Sequence, residues 1–155
     1  PGFAADSHHA WTWNSTTLNY GSYGLNGWTY HPYGGSSGAN GGAGYYFGNA
    51  DWPGGFWTSM AQAGSKAPIF ADCSWVDGWP FDNDVIPPDT NVGIASGQKG
   101  TYMGRFCITR HNNGTSFGIN IGFCDGHVEF VPLDMLWNVQ WSRTFKLQGQ
   151  KTPFP

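Results

Sequence analysis

The dipeptide Asp125-Gly126, set between two segments of alternating apolar residues, is the feature that most constrains this sequence. Asp-Gly favours a two-residue hairpin turn with positive φ at both central positions. Counting outward predicts cross-strand partners that share a face of the sheet. The predicted pairs are Cys124/His127, Phe123/Val128, Gly122/Glu129 and Ile121/Phe130. One face would then hold Ile119, Ile121, Phe123, Val128 and Phe130. A slip of one residue would destroy this separation, so the register is predicted to be well specified.

Two further strands are predicted before the hairpin. A strand at 105–109 would complete a three-strand antiparallel meander with one face on a core. Pro68 to Trp75 is the second, because Ala71, Cys73 and Trp75 alternate with Asp72 and Ser74. Asp77-Gly78 is predicted to turn the chain after it.

Short helices are predicted at two places. One lies within 56–63 and ends at Gly64. The other spans 132–137. Pro132 suits its first position, because the N–H that proline lacks has no partner within a helix, and Asp134 suits the first turn, where the helix dipole is positive. Leu133, Leu136 and Trp137 would share its buried side.

Length and composition place these elements in one mainly β (α+β) domain. The chain has 155 residues, enough for a sizeable core. It contains 24 glycines and 17% aromatic residues, which suits an antiparallel meander with long Gly- and aromatic-rich loops. We expect a loop-rich part at 1–67, the sheet and C-terminal segment at 68–145, and a mobile tail at 146–155.

Charge and hydropathy exclude several partners. The net charge of −3 argues against nucleic acid, and no apolar run approaches the roughly 20 residues that span a membrane. Only 11% of residues are charged, against about 25% in an average domain. We therefore expect other copies of the chain to cover part of its surface. The expected contacts are the loop 31–57, with Tyr33, Tyr45, Tyr46, Phe47 and Trp52, and the segment from Trp141 to Phe154.

Five segments together carry a resemblance to a known family. They are Arg-His-Asn-Asn-Gly at 110–114, Ile-Asn-Ile-Gly-Phe-Cys-Asp-Gly-His-Val at 119–128, the Leu-Trp-rich stretch 131–145, Tyr-Gly-Ser-Tyr-Gly-Leu-Asn-Gly-Trp at 20–28, and Pro-Ile-Phe-Ala-Asp-Cys-Ser-Trp-Val-Asp-Gly-Trp-Pro at 68–80. The set resembles bacterial prepilin-type proteins that end in an H-X9-DG signature. Here thirteen residues, 112–124, separate His111 from Asp125, four more than that spacing.

This resemblance implies a structural protein and no enzyme. The chain would be a pilin-like globular head, expected without the family's long N-terminal helix. Its role would be a subunit of an extracellular or cell-surface filament, such as a type IV pilus, or of a type II secretion pseudopilus built from pseudopilins. Its partners would be copies of itself or related subunits. His111, Asp125 and Gly126 would be structural motif residues that hold the hairpin. The alternative is a secreted carbohydrate-binding module, since Trp and Tyr on a β surface stack on sugars.

Acidic residues form the one metal candidate of the sequence. Asp77, Asp82 and Asp84 offer the oxygen ligands that Ca²⁺ prefers, and several pseudopilins hold calcium in a loop of this kind. A solvated acidic loop is the competing interpretation. No other cofactor is predicted.

The three cysteines leave two alternatives open. Either Cys73 and Cys107 form a disulfide and Cys124 is free, or all three are reduced, buried thiols that act as small hydrophobes. An enzyme would need Cys107 or Cys124 beside His111 or His127 as nucleophile and base, or paired carboxylates among Asp72, Asp77, Asp82 and Asp84. Nothing in their spacing favours such chemistry.

Overall fold

The computed structural model describes residues 6–14, 18–30, 55–94, 101–152 and 154. Eight strands lie in these ranges: β1 (Trp11–Asn14), β2 (Leu18–Gly21), β3 (Tyr23–Asn26), β4 (Pro68–Asp72), β5 (Asp77–Gly78), β6 (His111–Asn112), β7 (Phe117–Phe123) and β8 (Val128–Pro132). One α-helix, α1 (Met60–Ala63), and three 3-10 helices, η1 (Gly27–Thr29), η2 (Tyr102–Arg105) and η3 (Leu133–Asn138), accompany them. The predicted mainly β fold is confirmed.

Strand β7 is the centre of a six-stranded mixed sheet. The order is β5-β3-β4-β7-β6, and β8 also pairs with β7. Because Gly118 pairs with both His111 and Pro132, β6 and β8 lie on opposite edges of β7, and β6 shares its edge with β4. All pairings are antiparallel except β3–β5. Strands β1 and β2 form a separate antiparallel hairpin.

The predicted hairpin exists, but its register is shifted by one residue. The Gly126 amide donates to the Phe123 carbonyl and the Phe123 amide donates to the His127 carbonyl, both at 3.0 Å, so the loop has three residues. Gly126 alone in this loop has positive φ, at +92°, and Asp125 does not. A three-residue loop closed by such a glycine replaces the expected two-residue turn because only one position then needs positive φ.

The shift exchanges the two faces of β8. Ile119 pairs with Val131 and Ile121 with Glu129 on the inner, core-facing side, whereas Asn120 pairs with Phe130 and Gly122 with Val128 on the outer side. Val131 is buried and Val128 is 65% exposed. The prediction that Val128 and Phe130 share the face of Ile119, Ile121 and Phe123 was therefore wrong, while the three β7 residues are buried as expected.

Three other sequence predictions change near the sheet. Residues 105–109 form no strand, because η2 covers Tyr102–Arg105, and the two-residue β6 takes the third place in the meander. The strand that starts at Pro68 ends at Asp72, so the alternation up to Trp75 is not realised. Asp77-Gly78 pairs in parallel with β3 as β5 and is no turn.

The two predicted helices are present at shifted bounds. Helix α1 covers Met60–Ala63, with Ser59 as its cap and Gly64 after it at φ +51°. The second is the 3-10 helix η3, with Asp134 in its first turn and Leu133, Leu136 and Trp137 buried.

The core lies between the inner face of the sheet and the segments that follow β4 and β8. Its three most deeply buried tryptophans each donate the indole N–H to a carbonyl: Trp28 to Pro80 at 2.8 Å, Trp137 to Asp84 at 3.1 Å and Trp141 to Leu136 at 2.9 Å. Large rings can be fully buried in this way because their single donor is satisfied.

The C-terminal segment belongs to this core. Trp141 and Phe145 are buried, so the prediction that they form a surface for other copies was wrong. The tail is attached as well, since the Gln148 amide donates to Trp137 and the Lys151 amide to Asp134, at 3.0 and 2.8 Å. These two hydrogen bonds hold the tail to η3, whereas the sequence predicted a mobile tail. The aromatic residues of 31–54 lie outside the described residues.

Candidate functional site

The histidine of the resemblance, His111, contacts Asp72 and not Asp125. Its Nε2 lies 2.9 Å from Oδ2 of Asp72, and the same oxygen accepts the backbone N–H of Asn120 at 2.8 Å. The Asp72 side chain is 3% exposed and that of His111 is 43% exposed. We call this arrangement the histidine–aspartate bridge. It joins β4, β6 and β7 through one buried carboxylate.

The bridge depends on a register that the sequence did not specify. Ala71 pairs with Ile121, and His111 pairs with Gly118 on the same edge of β7. This brings Asp72, at the end of β4, next to the start of β6. The one sequence signal was a carboxylate within a strand of alternating apolar residues, and Asp72 was predicted only as a polar position of that strand and as one of four candidate carboxylates. Because β4 and β6 both pair with β7, the Asp72 carboxylate has a structural role.

Asn26 is a second linking residue that sequence reasoning missed. It is fully buried, and its Nδ2 donates to the carbonyls of Pro68 and Trp141 at 2.9 and 2.8 Å. Its Oδ1 accepts the Trp28 amide at 3.2 Å. One amide side chain therefore holds β3 against the start of β4 and the C-terminal segment. No local sequence signal indicates this role, because the partners of Asn26 lie 42 and 115 residues away.

The Asp-Gly turn carries its own histidine–aspartate pair. His127 Nδ1 contacts Oδ1 of Asp125, and the His127 amide donates to the same oxygen at 3.2 Å. These bonds, the backbone one first, lower the pKa of Asp125. The His127 ring stacks on Phe123 with centroids 4.3 Å apart. The pair is exposed and fixes the turn only.

Arg105 and Asp77 form the most buried ion pair of the described residues. Arg105 Nη1 lies 3.1 Å from Oδ1 of Asp77 and donates to its carbonyl at 2.8 Å, while the Tyr30 hydroxyl donates to Oδ2 at 3.0 Å. Burial raises the pKa of Asp77 against the opposing effect of Tyr30 and Arg105, and it lowers the pKa of Arg105. The guanidinium also lies over the Tyr102 ring. This cluster anchors β5 to η2.

The three carboxylates predicted to bind calcium have separate partners. Asp77 contacts Arg105, and Asp82 accepts the Lys146 amide at 3.2 Å. Asp84 is buried and accepts the amides of Phe81 and Met103 at 3.0 and 2.7 Å. In the part of the chain that the structure describes, no group of three or more His, Cys, Asp or Glu side chains is arranged to hold a metal ion.

All three cysteines are free thiols, so the Cys73–Cys107 disulfide is not formed. Cys73 and Cys107 are buried, as the second alternative requires, whereas Cys124 is only half-buried. The disulfide was predicted on the assumption that Cys73 and Cys107 both lie on strands. Cys107 instead follows the 3-10 helix η2 and lies in no strand. Burial raises the pKa of Cys73 to about 12 and also raises that of Cys107. Burial and Asp125 raise the pKa of Cys124. A nucleophilic cysteine needs a lowered pKa, so these thiols do not favour that chemistry.

Comparisons with protein-family models, curated proteins and solved structures find no match. Among the described residues, no helix has the length and apolar character to cross a membrane. The site must therefore be interpreted from its own geometry. That geometry consists of polar side chains that connect separate segments within one fold.

Proposed function

We propose that this chain is the globular head of a pilin-like structural subunit. The observation that carries the proposal is the linkage made by two buried side chains. Asn26 connects the segments 20–28, 68–80 and 131–145, and Asp72 connects 68–80 with 110–114 and 119–128. These are the five segments of the family resemblance. Their joint packing supports a shared architecture in which motif residues hold the fold.

An exposed apolar face supports assembly with other subunits. Leu25 pairs with Phe70, which lies over Gly122, and Gly122 pairs with Val128, so these side chains cross the outer side of four strands. Tyr23, Leu25, Phe70 and Val128 are 52%, 44%, 42% and 65% exposed. We call them the outer apolar face. Exposed apolar patches of this kind mark protein contacts. The proposed partners are copies or related subunits, in a filament or pseudopilus outside the cell.

Sedimentation velocity over a concentration series tests the assembly. The parent chain should associate as its concentration rises, and electron microscopy of the associated fraction should show open-ended oligomers, as expected for a head-to-tail contact. Leu25→Lys should abolish association, because it places a charge on the outer apolar face. Val85→Lys is the matched control, since Val85 is 60% exposed and belongs to none of the strands. A parent that stays monomeric at every concentration, or equal behaviour of the two variants, would contradict the proposal.

The exposed aromatic rings of the outer side also favour a second candidate, a carbohydrate-binding module. Tyr23 and Phe70 lie with centroids 6.0 Å apart at 87°. Perpendicular rings offer no common plane for a sugar, which makes a protein contact the better interpretation. Glycan-array binding that is lost in Tyr23→Ala would favour the sugar-binding role.

Calcium binding at Asp77, Asp82 and Asp84 stays a prediction. An ion there would have to displace Arg105 and three backbone amides from these carboxylates. Melting curves with chelator and with added CaCl₂ test it, because an ion that binds only the folded state raises Tm. Equal curves would favour the acidic-loop interpretation.

A further inference from the structure

Strand β8 has one edge without a partner strand in the described part of the chain, since it pairs only with β7. The Phe123–His127 hydrogen bond fixes which residues face β7. Antiparallel pairs alternate, so Glu129 and Val131 bond to β7, whereas Val128 and Phe130 direct their N–H and C=O groups outward. Two donors and two acceptors therefore line this edge at the spacing of an extended chain.

A cleft opens beside the same edge. It has a volume of about 430 Å³ and lies between β8, η3 and the tail. Its apolar lining includes Phe123, Val131, Met135 and Leu147, and its charged lining consists of Lys66 and Glu129. The volume falls within the roughly 300–1,000 Å³ typical of ligand sites. Glu129 and Val131 line the cleft, and the residues next to them in β8, Val128 and Phe130, offer the outward main-chain groups.

The edge lacks the usual protection against strand addition. Natural sheets cover open edges or place charges, prolines and bulges there. Here Pro132 ends the strand and Glu129 is its only charge, while the outward-bonding residues are Val128 and Phe130. Val128 is 65% exposed and Phe130 is half-buried. An added strand would bond to these residues and bury their side chains.

We propose that the β8 edge and the adjacent cleft form an acceptor site for an extended peptide. The peptide adds as a strand to β8, and its main chain bonds to Val128 and Phe130. The peptide residue opposite Val131 points into the cleft and is apolar, because Met135 and Leu147 would surround it. Main-chain bonds supply affinity in such sites, and the pocket for alternate side chains supplies specificity. Lys66 and Glu129 form no ion pair within the described residues, so both line the cleft ready to bond to polar groups of the peptide.

The experiment is an NMR titration of the ¹⁵N-labelled 155-residue chain with the blocked peptide acetyl-Thr-Leu-Thr-Leu-Thr-amide. Saturable binding should shift the Val128 and Phe130 amides together with those of Met135 and Leu147. The same peptide with proline at its central position is the control ligand, because it lacks a main-chain donor. It should bind at least tenfold more weakly.

Two variants test the two halves of the site. Val128→Pro removes an outward N–H that β7 does not use, and Leu147→Asp places a charge in the cleft; each should weaken binding at least tenfold. Val85→Asp is the matched control for the added charge and should bind like the parent, whereas Val128→Thr, which keeps the outward N–H, should bind more tightly than Val128→Pro. Unchanged binding to Leu147→Asp, or no saturable binding to the parent, would overturn the proposal. Protection of the Val128 and Phe130 amides that rises with protein concentration without peptide, and that persists in Leu25→Lys, would overturn it too, because a second copy would then cover the edge itself.

Discussion

Two histidine–aspartate pairs in this protein have the same chemistry and different structural consequences. His111 and Asp72 are separated by 38 residues in sequence, 73–110, and join β6 to β4. His127 and Asp125 are two residues apart and lie within one loop. Their histidines are equally exposed, at 43%, whereas the carboxylates differ, at 3% for Asp72 and 41% for Asp125. Burial of the carboxylate is what separates the two pairs.

The difference teaches where a polar contact stabilises a fold. A buried carboxylate that loses its partners leaves an uncompensated charge, which costs several kcal/mol at the upper end. An exposed pair exchanges one set of water contacts for another and contributes little. The long-range pair should therefore control stability, and the local pair should adjust only its turn. Substitutions at both can separate these roles.

Asp72→Ala should have the largest effect. It removes the acceptor of both His111 and the Asn120 amide and leaves the β4–β7 contact with unsatisfied donors. We expect the free energy of unfolding to fall by about 2–3 kcal/mol, measured by urea denaturation. Asp89→Ala is the control, because Asp89 is exposed and, among the described residues, accepts the local Asn91 amide alone. Equal losses in the two variants would refute the bridge.

Gly126→Val should have the second largest effect on stability, and it tests the turn that carries the exposed pair. Gly126 has φ +92°, and nothing lies within 4 Å of an added Cβ, so the cost is conformational and not steric contact with neighbours. A β-branched residue resists this region, and we expect a loss of about 1–3 kcal/mol. Gly126→Asn should lose less, since Asn tolerates positive φ better. A Tm equal to that of the parent in the valine variant would contradict the loop geometry.

The sequence allowed the main elements to be predicted where one local signal dominated. Alternating apolar residues identified β7, and the apolar residues after Pro68 identified β4. The helix signals around Gly64 and Pro132 identified α1 and η3. The turn was placed correctly, but Asp-Gly is compatible with loops of two or three residues. That ambiguity of one residue exchanged the faces of β8, because side chains alternate with a period of two.

The histidine–aspartate bridge could not be predicted for a different reason. Its geometry depends on β4 and β6 both pairing with one edge of β7, which is a property of the whole sheet. Asn26 was missed in the same way, since its partners, Pro68 and Trp141, are 42 and 115 residues away. The family resemblance drew attention to His111, whereas its contact with Asp72 could be seen only once the topology was known.

His111→Ala should cost less than Asp72→Ala and more than any change at the exposed pair. The variant removes one partner of Asp72 but keeps the Asn120 amide, so a loss of about 1 kcal/mol is expected. His111→Gln offers a side-chain donor at a similar reach and should recover part of the loss. The double variant with Asp72→Ala should be no less stable than Asp72→Ala alone, which a double-mutant cycle measures. Additive losses would show that His111 acts elsewhere.

His127→Ala should have the smallest effect and should be visible mainly in a titration. The pKa of Asp125 is lowered first by the His127 amide and then by the His127 ring. Removing the ring keeps the amide, so the pKa of Asp125 should rise only part of the way toward 3.8, its ordinary value. A carboxylate with a lowered folded pKa contributes stability above its unfolded pKa, and this contribution disappears as the pH falls through the folded pKa. The variant should thus have a slightly lower Tm than the parent at pH 7, and this difference should disappear in acid, where Asp125 is protonated in both proteins. Carbon-13 NMR of the Asp125 carboxyl measures the shift directly. A Tm loss at pH 7 as large as that of His111→Ala would remove the distinction between the two pairs.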